Sequence, residues 1–282
     1  MASRRLLVLR NALKAWLLLA GFALLLGFAG WQLGGYRLAL LFLGSAVLLA
    51  GALYGYADRI VMGMVGAREL FQGEAPALHS TIERLSARAG VVKPKLYVLP
   101  DGYPRALSAG RGAGGGAALA LSVGLMGVAS PAELEGIVAH ELAHLRHRDV
   151  LVQTVAVVIG AAIVEASRLG GLLQRALLFV LGPLAAAVVH LLLSPKREYY
   201  ADRFAAEVCN SPHGLADALI RLEQAMQLVA FEASPATEPL YTTNPFADEG
   251  LAALFASHPP IGERVRRLRE LDPGWREKLR AA

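Results

Sequence analysis

The amino-acid sequence predicts a mainly α-helical integral membrane protein with about four hydrophobic helices and a small β-sheet. Hydrophobic residues make up 55% of the chain and the mean hydropathy is +0.45, and both values are high for a soluble protein. The excess is concentrated in long uncharged blocks, which favours helices within a bilayer. Short alternating stretches between the blocks predict strands, and amphipathic stretches predict the remaining helices.

The first two hydrophobic blocks predict a transmembrane hairpin. The chain carries no charge between Lys14 and Arg37, and none from Leu38 to Ala57. Each block has about 20 residues, which is enough to cross a hydrocarbon core of about 30 Å as a helix. The first block exceeds the apolar core of a cleaved signal peptide, which is about 7–15 residues long. We therefore interpret it as a retained anchor.

A second hydrophobic pair covers residues 150–164 and 176–193. The first member has 15 residues, which give about 22 Å of helix, less than a bilayer requires. Two interpretations remain open for this pair. It is either a hairpin that spans or partly enters the membrane, or a pair of helices buried in a protein core.

The charges that flank the first hairpin predict its orientation. Four basic residues lie between positions 4 and 14, whereas the turn carries only Arg37. Arg59 and Arg68 follow the second block. Because basic residues favour the cytoplasmic side, both ends of the hairpin are expected in the cytoplasm, together with the polar part of the chain.

The basic balance of the chain favours a phospholipid bilayer as partner. The net charge is +5 and the pI is about 9.5. The basic residues adjoin the apolar blocks and lack interleaved aromatic residues, so nucleic acid is not expected. The glycine-rich run at 110–116 is interpreted as a hairpin loop and lacks the context of a phosphate cradle, so no nucleotide is expected. Cys209 is the single cysteine, which excludes an intrachain disulfide.

The polar segments predict one amphipathic helix and three strands. The helix is expected within residues 68–95, and the strands at 95–99, 105–110 and 117–125. A small sheet of this kind has an exposed edge, to which an extended peptide can add as a further strand.

A capped helix is predicted to begin at Ser130. Ser130 is a good N-cap residue, Pro131 suits the first helical position, and Glu133 completes a capping box. The stretch 136–149, GIVAHELAHLRHRD, would lie on this helix.

His140 and His144 are predicted to bind one zinc ion. Residues four apart share a helix face, so both rings can point a nitrogen at the same ion. Glu141 is turned about 100° away and can reach a water on that ion without ligating it. This arrangement is typical of zinc hydrolases, in which the glutamate takes a proton as water attacks a carbonyl.

Glu198 is the candidate for the third zinc ligand. Ser194 and Pro195 predict a helix start, so Glu198 and Asp202 would share one face of that helix. The second hydrophobic pair would fold this helix back against the first metal helix. Asp202 is then expected to hold a ligand histidine through its free ring nitrogen.

The distance from His144 to the next hydrophobic block predicts a site near the membrane. His144 lies six residues before Val150. A continuous helix would place the metal about 9 Å from the start of the hydrocarbon. We expect substrates to be cleaved at or just above the membrane surface.

The sequence resembles the HtpX-type membrane zinc metallopeptidases, which are related to the CAAX prenyl proteases. The resemblance covers nearly the whole chain. The stretches that carry it, besides the hydrophobic pairs, are KPKLYVLPDGYPRALSAG, ELEGIVAHELAHLRHRDV, REYYADRFA and FASHPPIGERVRRL. It implies a zincin-like metalloendopeptidase with one zinc per chain, in which His140, His144 and Glu198 are ligands, Glu141 is the base and Asp202 supports the site.

The same resemblance implies a role in the bacterial inner membrane. The expected enzyme is multi-pass, faces the cytoplasm with its active site, and degrades misfolded or damaged membrane proteins as part of a stress response. A non-enzymatic membrane scaffold or transporter with a structural metal is the alternative from the residues alone.

Substrate contacts are expected beside the sheet. Where the family has Asn-Ala before the strand next to the active site, this chain has Arg105 and Ala106. Ala118 and Leu119 on the following strand complete the expected substrate-binding set. An oxyanion donor is also needed. The candidates for it are His258, Tyr199 and Tyr200.

These expectations divide the chain into four parts. Residues 1–60 form the N-terminal transmembrane hairpin, and 61–149 the catalytic part with the sheet and the first metal helix. Residues 150–195 form the second hydrophobic hairpin. Residues 196–282 continue the catalytic part with the third ligand and the C-terminal helices.

Overall fold

A computed structural model describes residues 2–155, 170–171, 195–228, 259–272 and 274. The predicted hydrophobic block at 176–193, most of the block at 150–164, and His258 lie outside the described residues. The described elements are mostly helices, with one small mixed sheet. They are α1 Ala2–Met64, β1 Arg68–Glu69, α2 Pro76–Ala89, β2 Lys95–Leu99, β3 Ala106–Gly110, β4 Ala117–Ser122, α3 Val123–Val128, α4 Pro131–His147, α5 Pro195–Cys209, α6 His213–Leu228 and α7 Ile261–Glu270.

Helix α1 folds back on itself at two glycines. Gly34 leaves helical geometry, and Gly35 adopts φ 68° and ψ −158°, a conformation that side chains strongly disfavour. Beyond this reversal the two halves run side by side. The rings of Trp16 and Tyr54 are 5.6 Å apart, whereas a straight helix would separate them by about 57 Å.

The middle of α1 exposes an apolar surface that suits a bilayer. Within the described residues, the one helical stretch long and apolar enough to cross a membrane is Leu19–Ala52, which contains the reversal at Gly34 and Gly35 and has a mean hydropathy of 1.7. Large side chains on it face outward, including Leu24 at 69% and Leu48 at 76% exposure. Exposed leucines in such number are costly in water and favourable against lipid. The predicted count of about four hydrophobic helices is not confirmed by the described residues.

The sheet has the strand order β1-β2-β4-β3. β2 and β4 are parallel, whereas β1 pairs antiparallel with β2 and β3 pairs antiparallel with β4. Both faces are covered. The end of α1, with Val61 and Met62, packs on one face, and the core around α4 covers the other.

The position of β4 corrects the predicted substrate-binding set. β4 lies inside the sheet, and its backbone pairs with β2 on one side and β3 on the other. Ala118 and Leu119 are fully buried on opposite faces. The prediction that these two residues contact substrate is therefore wrong, because neither a free edge nor an exposed face remains there.

Two other predicted elements have different boundaries. The amphipathic helix begins only at Pro76, because Arg68 and Glu69 pair with β2 as strand β1. Its predicted end is confirmed by Gly90, which adopts the left-handed conformation of a C-cap. The strand from Ala117 ends at Ser122, whose hydroxyl accepts a hydrogen bond from Leu125 N and so caps α3.

Helix α4 begins as predicted but ends in a way that the sequence did not indicate. The Ser130–Glu133 capping box is present. At the other end Arg148 adopts φ 57°, which breaks the helix before a new helical segment at 149–155. The prediction of one continuous helix from the histidines into the next hydrophobic block is therefore wrong. Residues 150–155 are buried within the protein.

Helix α4 is the centre of the core. It packs against α2, α5, α6 and β3. Its contact with α6 is close because both helices have a glycine at the crossing. A Cβ built on Gly136 would lie 2.6 Å from Leu215 N, and one on Gly214 would meet the carbonyl of Ala132.

Replacing Gly136 by alanine is expected to destabilise the fold by about 1–3 kcal/mol, because the added methyl group overlaps the α6 backbone. The matched control is Gly127→Ala on the exposed α3, where a Cβ meets nothing within 4 Å. The control should leave stability unchanged or slightly raised. Thermal unfolding of the detergent-solubilised protein measures both, and equal midpoints for the two variants would contradict the packing described here.

Candidate metal centre

Three buried side chains converge between α4 and α5. His140, His144 and Glu198 each offer one ligand atom, and these atoms all lie within 4.8 Å of one another. The Nε2 atoms of the two histidines are 3.1 Å apart. The Glu198 carboxylate lies 3.5 Å from His140 Nε2 and 3.8 Å from His144 Nε2. The sequence predictions placed these three residues together, and the structure brings them together.

The spacing of these atoms fits a tetrahedral zinc ion. Ligand atoms about 2.0–2.2 Å from a tetrahedral centre are about 3.3 Å from each other. The observed separations of 3.1, 3.5 and 3.8 Å are close to that value. Two imidazole nitrogens and one carboxylate oxygen also form a donor set that catalytic zinc sites use, with one position left for water or substrate.

Each candidate ligand histidine is held by a carboxylate through its other ring nitrogen. His140 Nδ1 lies 3.0 Å from Asp202 Oδ1, as the sequence predicted. His144 Nδ1 lies 3.0 Å from Asp149 Oδ2, a contact that the sequence analysis missed. When Nδ1–H donates to a carboxylate, the ring presents Nε2 to a metal and is fixed in orientation.

Each of these carboxylates in turn meets an arginine. Arg264 is fully buried and donates from Nε and Nη2 to the two oxygens of Asp202, at 2.9 and 2.7 Å. Arg197 Nε lies 3.6 Å from Asp149 and also donates to Glu198, with Nη2 at 2.8 Å from Oε1. Two similar arms, His–Asp–Arg, therefore orient the two histidines.

The charges of the site favour a bound cation. Burial would raise the pKa of the Asp202 carboxyl, but Arg264 and His140 outweigh it and lower that pKa to about 2. Burial would favour a neutral His140 ring, but the contacts with Asp202 and Glu198 raise its pKa to about 9. Carboxylates that stabilise a proton at this point also stabilise a metal ion.

A formal charge count over the described site leads to the same conclusion. With both histidines neutral, as metal ligands must be, four buried carboxylates face two guanidinium groups, which leaves two negative charges that a divalent ion neutralises. The carboxylates are Glu141, Asp149, Glu198 and Asp202, and the guanidinium groups are those of Arg197 and Arg264.

Glu141 is positioned by the sheet. It lies next to His140 in α4 and is 2% exposed. Ser108 Oγ donates a hydrogen bond of 2.7 Å to Glu141 Oε2. Ser108 is the middle residue of β3, the end strand of the sheet, so the strand and the carboxylate are in direct contact.

The other predicted site residues lie in several different environments. The Arg105 side chain is held by Asp101, with Nη2 at 2.6 Å from Oδ2, and Ala106 is buried at the start of β3. The Tyr199 ring lies 3.9 Å from the Arg267 guanidinium carbon, and Tyr200 is 55% exposed.

Of the residues that the sequence analysis missed, Arg264 had the clearest signal. It lies three residues after Ile261 and four before Leu268, so it shares the apolar face of α7 with them. A charged residue on an apolar helix face indicates a buried partner. Asp149, Arg197 and Ser108 had no comparable signal.

Comparison with known proteins decides the family. Residues 72–272 match the family model described as "Peptidase family M48", which is more than half of the chain. The chain belongs to peptidase family M48. Among its relatives, the "Protease HtpX homolog" of Pelotomaculum thermopropionicum is 36% identical over 276 residues, covering 92% of this chain and 98% of the relative. The homologue of the same name from Salinibacter ruber is 38% identical over 271 residues, covering 93% and 98%.

A solved structure has a lower similarity. The crystal structure of S. mikatae Ste24p is 18% identical with a TM-score of 0.48, covering 95% of this chain and 66% of that chain.

Family membership and the His–His–Glu cluster together confirm the predicted activity class and cofactor. This member of family M48 is a zinc metallopeptidase. With the exposed apolar helix of α1 it is a membrane metallopeptidase. The alternative of a non-enzymatic scaffold or transporter is not favoured by any of these findings.

Replacing Asp149 or Asp202 by asparagine is expected to weaken zinc binding by about 10–100-fold, because each substitution loosens the orientation of one ligand histidine. Competition with a chromophoric chelator measures the zinc affinity. The control is Asp217→Asn, which removes a half-exposed carboxylate of α6 paired with Arg269. An unchanged zinc affinity in both buried variants would show that the two arms do not support the metal.

Proposed function

We propose that this protein is a zinc-dependent endopeptidase that hydrolyses peptide bonds in misfolded or damaged membrane proteins. The proposed location is the bacterial inner membrane, with several spans and with the active site on the cytoplasmic side. One observation carries the proposal: Glu141 lies beside a buried His–His–Glu cluster in a chain with an exposed apolar helix. The basic residues that flank the first hairpin support the orientation.

His140, His144 and Glu198 are the proposed zinc ligands, and Asp202 and Asp149 the groups that orient the histidines. Bound zinc would supply Lewis-acid chemistry, which activates water and polarises a carbonyl. Glu141 is the proposed general base, which accepts the proton of the attacking water and returns it to the leaving amine. Ser108 donates to one carboxylate oxygen of Glu141 and so helps to fix the position of the proposed base.

The edge of β3 is the proposed site for the substrate backbone. Among the described strands β3 pairs only with β4, and the hydrogen bond from Ser122 N to Arg105 O shows which residues of β3 face β4. In an antiparallel pair the alternate residues direct their backbone groups to the other side. Ser108 is one of these residues. A substrate strand there would run directly past Glu141.

His258 remains the proposed donor to the developing oxyanion. It precedes Arg264 by six residues in the sequence, and the Arg264 guanidinium lies 3.4 Å from His140 Nε2. A neutral histidine N–H or an imidazolium can stabilise the negative charge of a tetrahedral intermediate. Replacement of His258 by alanine would then lower kcat with little change in KM.

Replacing Glu141 by glutamine is expected to lower the cleavage of casein and of a reconstituted membrane protein by at least about 100-fold, because the general base is lost. Zinc content should stay unchanged, since Glu141 is not a proposed ligand. A chelator should abolish wild-type cleavage and added zinc should restore it.

The matched control is Glu135→Gln on the same helix, which removes a partly exposed carboxylate paired with Arg84. This variant should keep wild-type activity. Equal cleavage by wild type and Glu141→Gln, or cleavage that resists chelation, would contradict the proposed function.

A further inference from the structure

We propose that Arg111 and the glycine-rich loop at 111–116 bind the phosphate layer of an anionic phospholipid bilayer and hold the end of β3 at the membrane surface. The inference deepens the proposed function and rests on it, because it takes the α1 hairpin to cross a bilayer. It names the part of the catalytic unit that meets the lipid.

The aromatic residues of α1 mark where the membrane surface should lie. Trp16 and Tyr54 come from the two halves of the hairpin and contact each other at 5.6 Å. Trp and Tyr favour the headgroup level of a bilayer, where one end of the ring is apolar and the other meets water. Trp31 and Tyr36 lie near the reversal, at the opposite end of the uncharged block.

The length between these two aromatic levels matches a bilayer. From Trp16 to Leu33 a helix rises about 26 Å, close to the hydrocarbon thickness of about 30 Å. Several large apolar side chains along this length are exposed, among them Leu17, Leu24 and Phe28. The level of Trp16 and Tyr54 is therefore the headgroup level on the side of the catalytic unit.

Arg111 lies at that same level. The carbon of its guanidinium group is 5.7 Å from the centre of the Tyr54 ring. The Arg111 residue is exposed. In the part of the chain that the structure describes, no carboxylate forms an ion pair with it. An exposed guanidinium on an interfacial aromatic ring is placed to donate two hydrogen bonds to a lipid phosphate.

The outer part of the loop, residues 114–116, consists of glycine alone. Gly116 has φ 63°, and a Cβ at this position would lie 2.5 Å from Arg111 Nη2. The Arg111 side chain therefore lies directly against the backbone of Gly116 and is restricted in position. Gly112 is buried against Leu145 and Arg148, and Ala113 accepts a hydrogen bond from Val92 N, whereas Gly114 is exposed. The outer part of the loop, residues 114–116, therefore carries no side chain that would keep it from the headgroups.

The consequence concerns the distance between membrane and active site. Arg111 follows Ser108 by three residues, which is about 10 Å along an extended strand. Ser108 contacts Glu141. Ser108, which contacts the proposed general base, therefore lies about 10 Å from the residue proposed to bind the lipid phosphates. A site at the membrane surface therefore does not require a continuous helix from the histidines into the block at 150–164, which Arg148 interrupts.

The depth of the loop can be measured with a spin label in the full-length protein. A Cys209→Ala background removes the single cysteine, and Gly114→Cys introduces a label site, where a Cβ meets nothing within 4 Å. The comparison label is at Glu207→Cys on α5, a 63% exposed side chain. Nanodiscs of phosphatidylcholine and phosphatidylglycerol supply the bilayer, and collision with oxygen and with a water-soluble nickel chelate reports depth.

The label at 114 is expected at the phosphate level, with nickel accessibility severalfold below that of the label at 207. Replacing Arg111 by glutamine should lower the ratio of docked to undocked loop by about fivefold, the effect of one basic residue near an anionic surface. Arg203→Gln, which removes an exposed arginine of α5, should leave that ratio unchanged. Nickel accessibility equal to that of label 207, or equal effects of the two arginine substitutions, would overturn the proposal.

Casein cleavage by the same labelled proteins separates this inference from the proposed function. If cleavage depends on Glu141 and zinc while the loop lies in water, only the inference about the loop fails. If the loop lies at the phosphates while Glu141→Gln cleaves casein as well as its parent, only the proposed function fails.

Discussion

The structure depends on how four buried carboxylates around His140 and His144 are compensated. They belong to Glu141, Asp149, Glu198 and Asp202. Buried carboxylates repel one another strongly, and the described fold compensates by placing Arg197 and Arg264 among them. Removing one member of such a cluster leaves a charge with no compensation, so the members are mutually dependent. The packing of α5 against α4, and of α7 against α5, fits this requirement, since the fully buried Arg264 of α7 donates to Asp202 of α5.

Part of this arrangement could be predicted from the sequence because it depends on local spacing. The His140–His144 pair is set by the helical repeat, and the Ser130–Glu133 cap by the chemistry of a helix start. Glu198 and Asp202 were also assigned correctly to one helix. Strand β2 and the loop between β3 and β4 matched their predicted positions for the same reason.

The remaining features depend on contacts between distant segments. The order of the sheet places β3 outside β4, so β2 and β4 pair although another strand lies between them in sequence. The residue patterns of β2 and β4 do not indicate that these two strands pair with each other. The assignment of Ala118 and Leu119 to the substrate-binding set was wrong as a result. Asp149 was missed because its contact with His144 requires Arg148 in a left-handed conformation, which is uncommon for a residue other than glycine.

The turn at Arg148 has a mechanical consequence. Asp149 is at once the partner of His144 and the first residue of the helical segment that leads into the second hydrophobic block. A displacement of that segment would therefore pull directly on the imidazole of His144, without passing through any flexible linker. The orientation of one proposed zinc ligand is therefore linked to the position of the chain segment that follows α4.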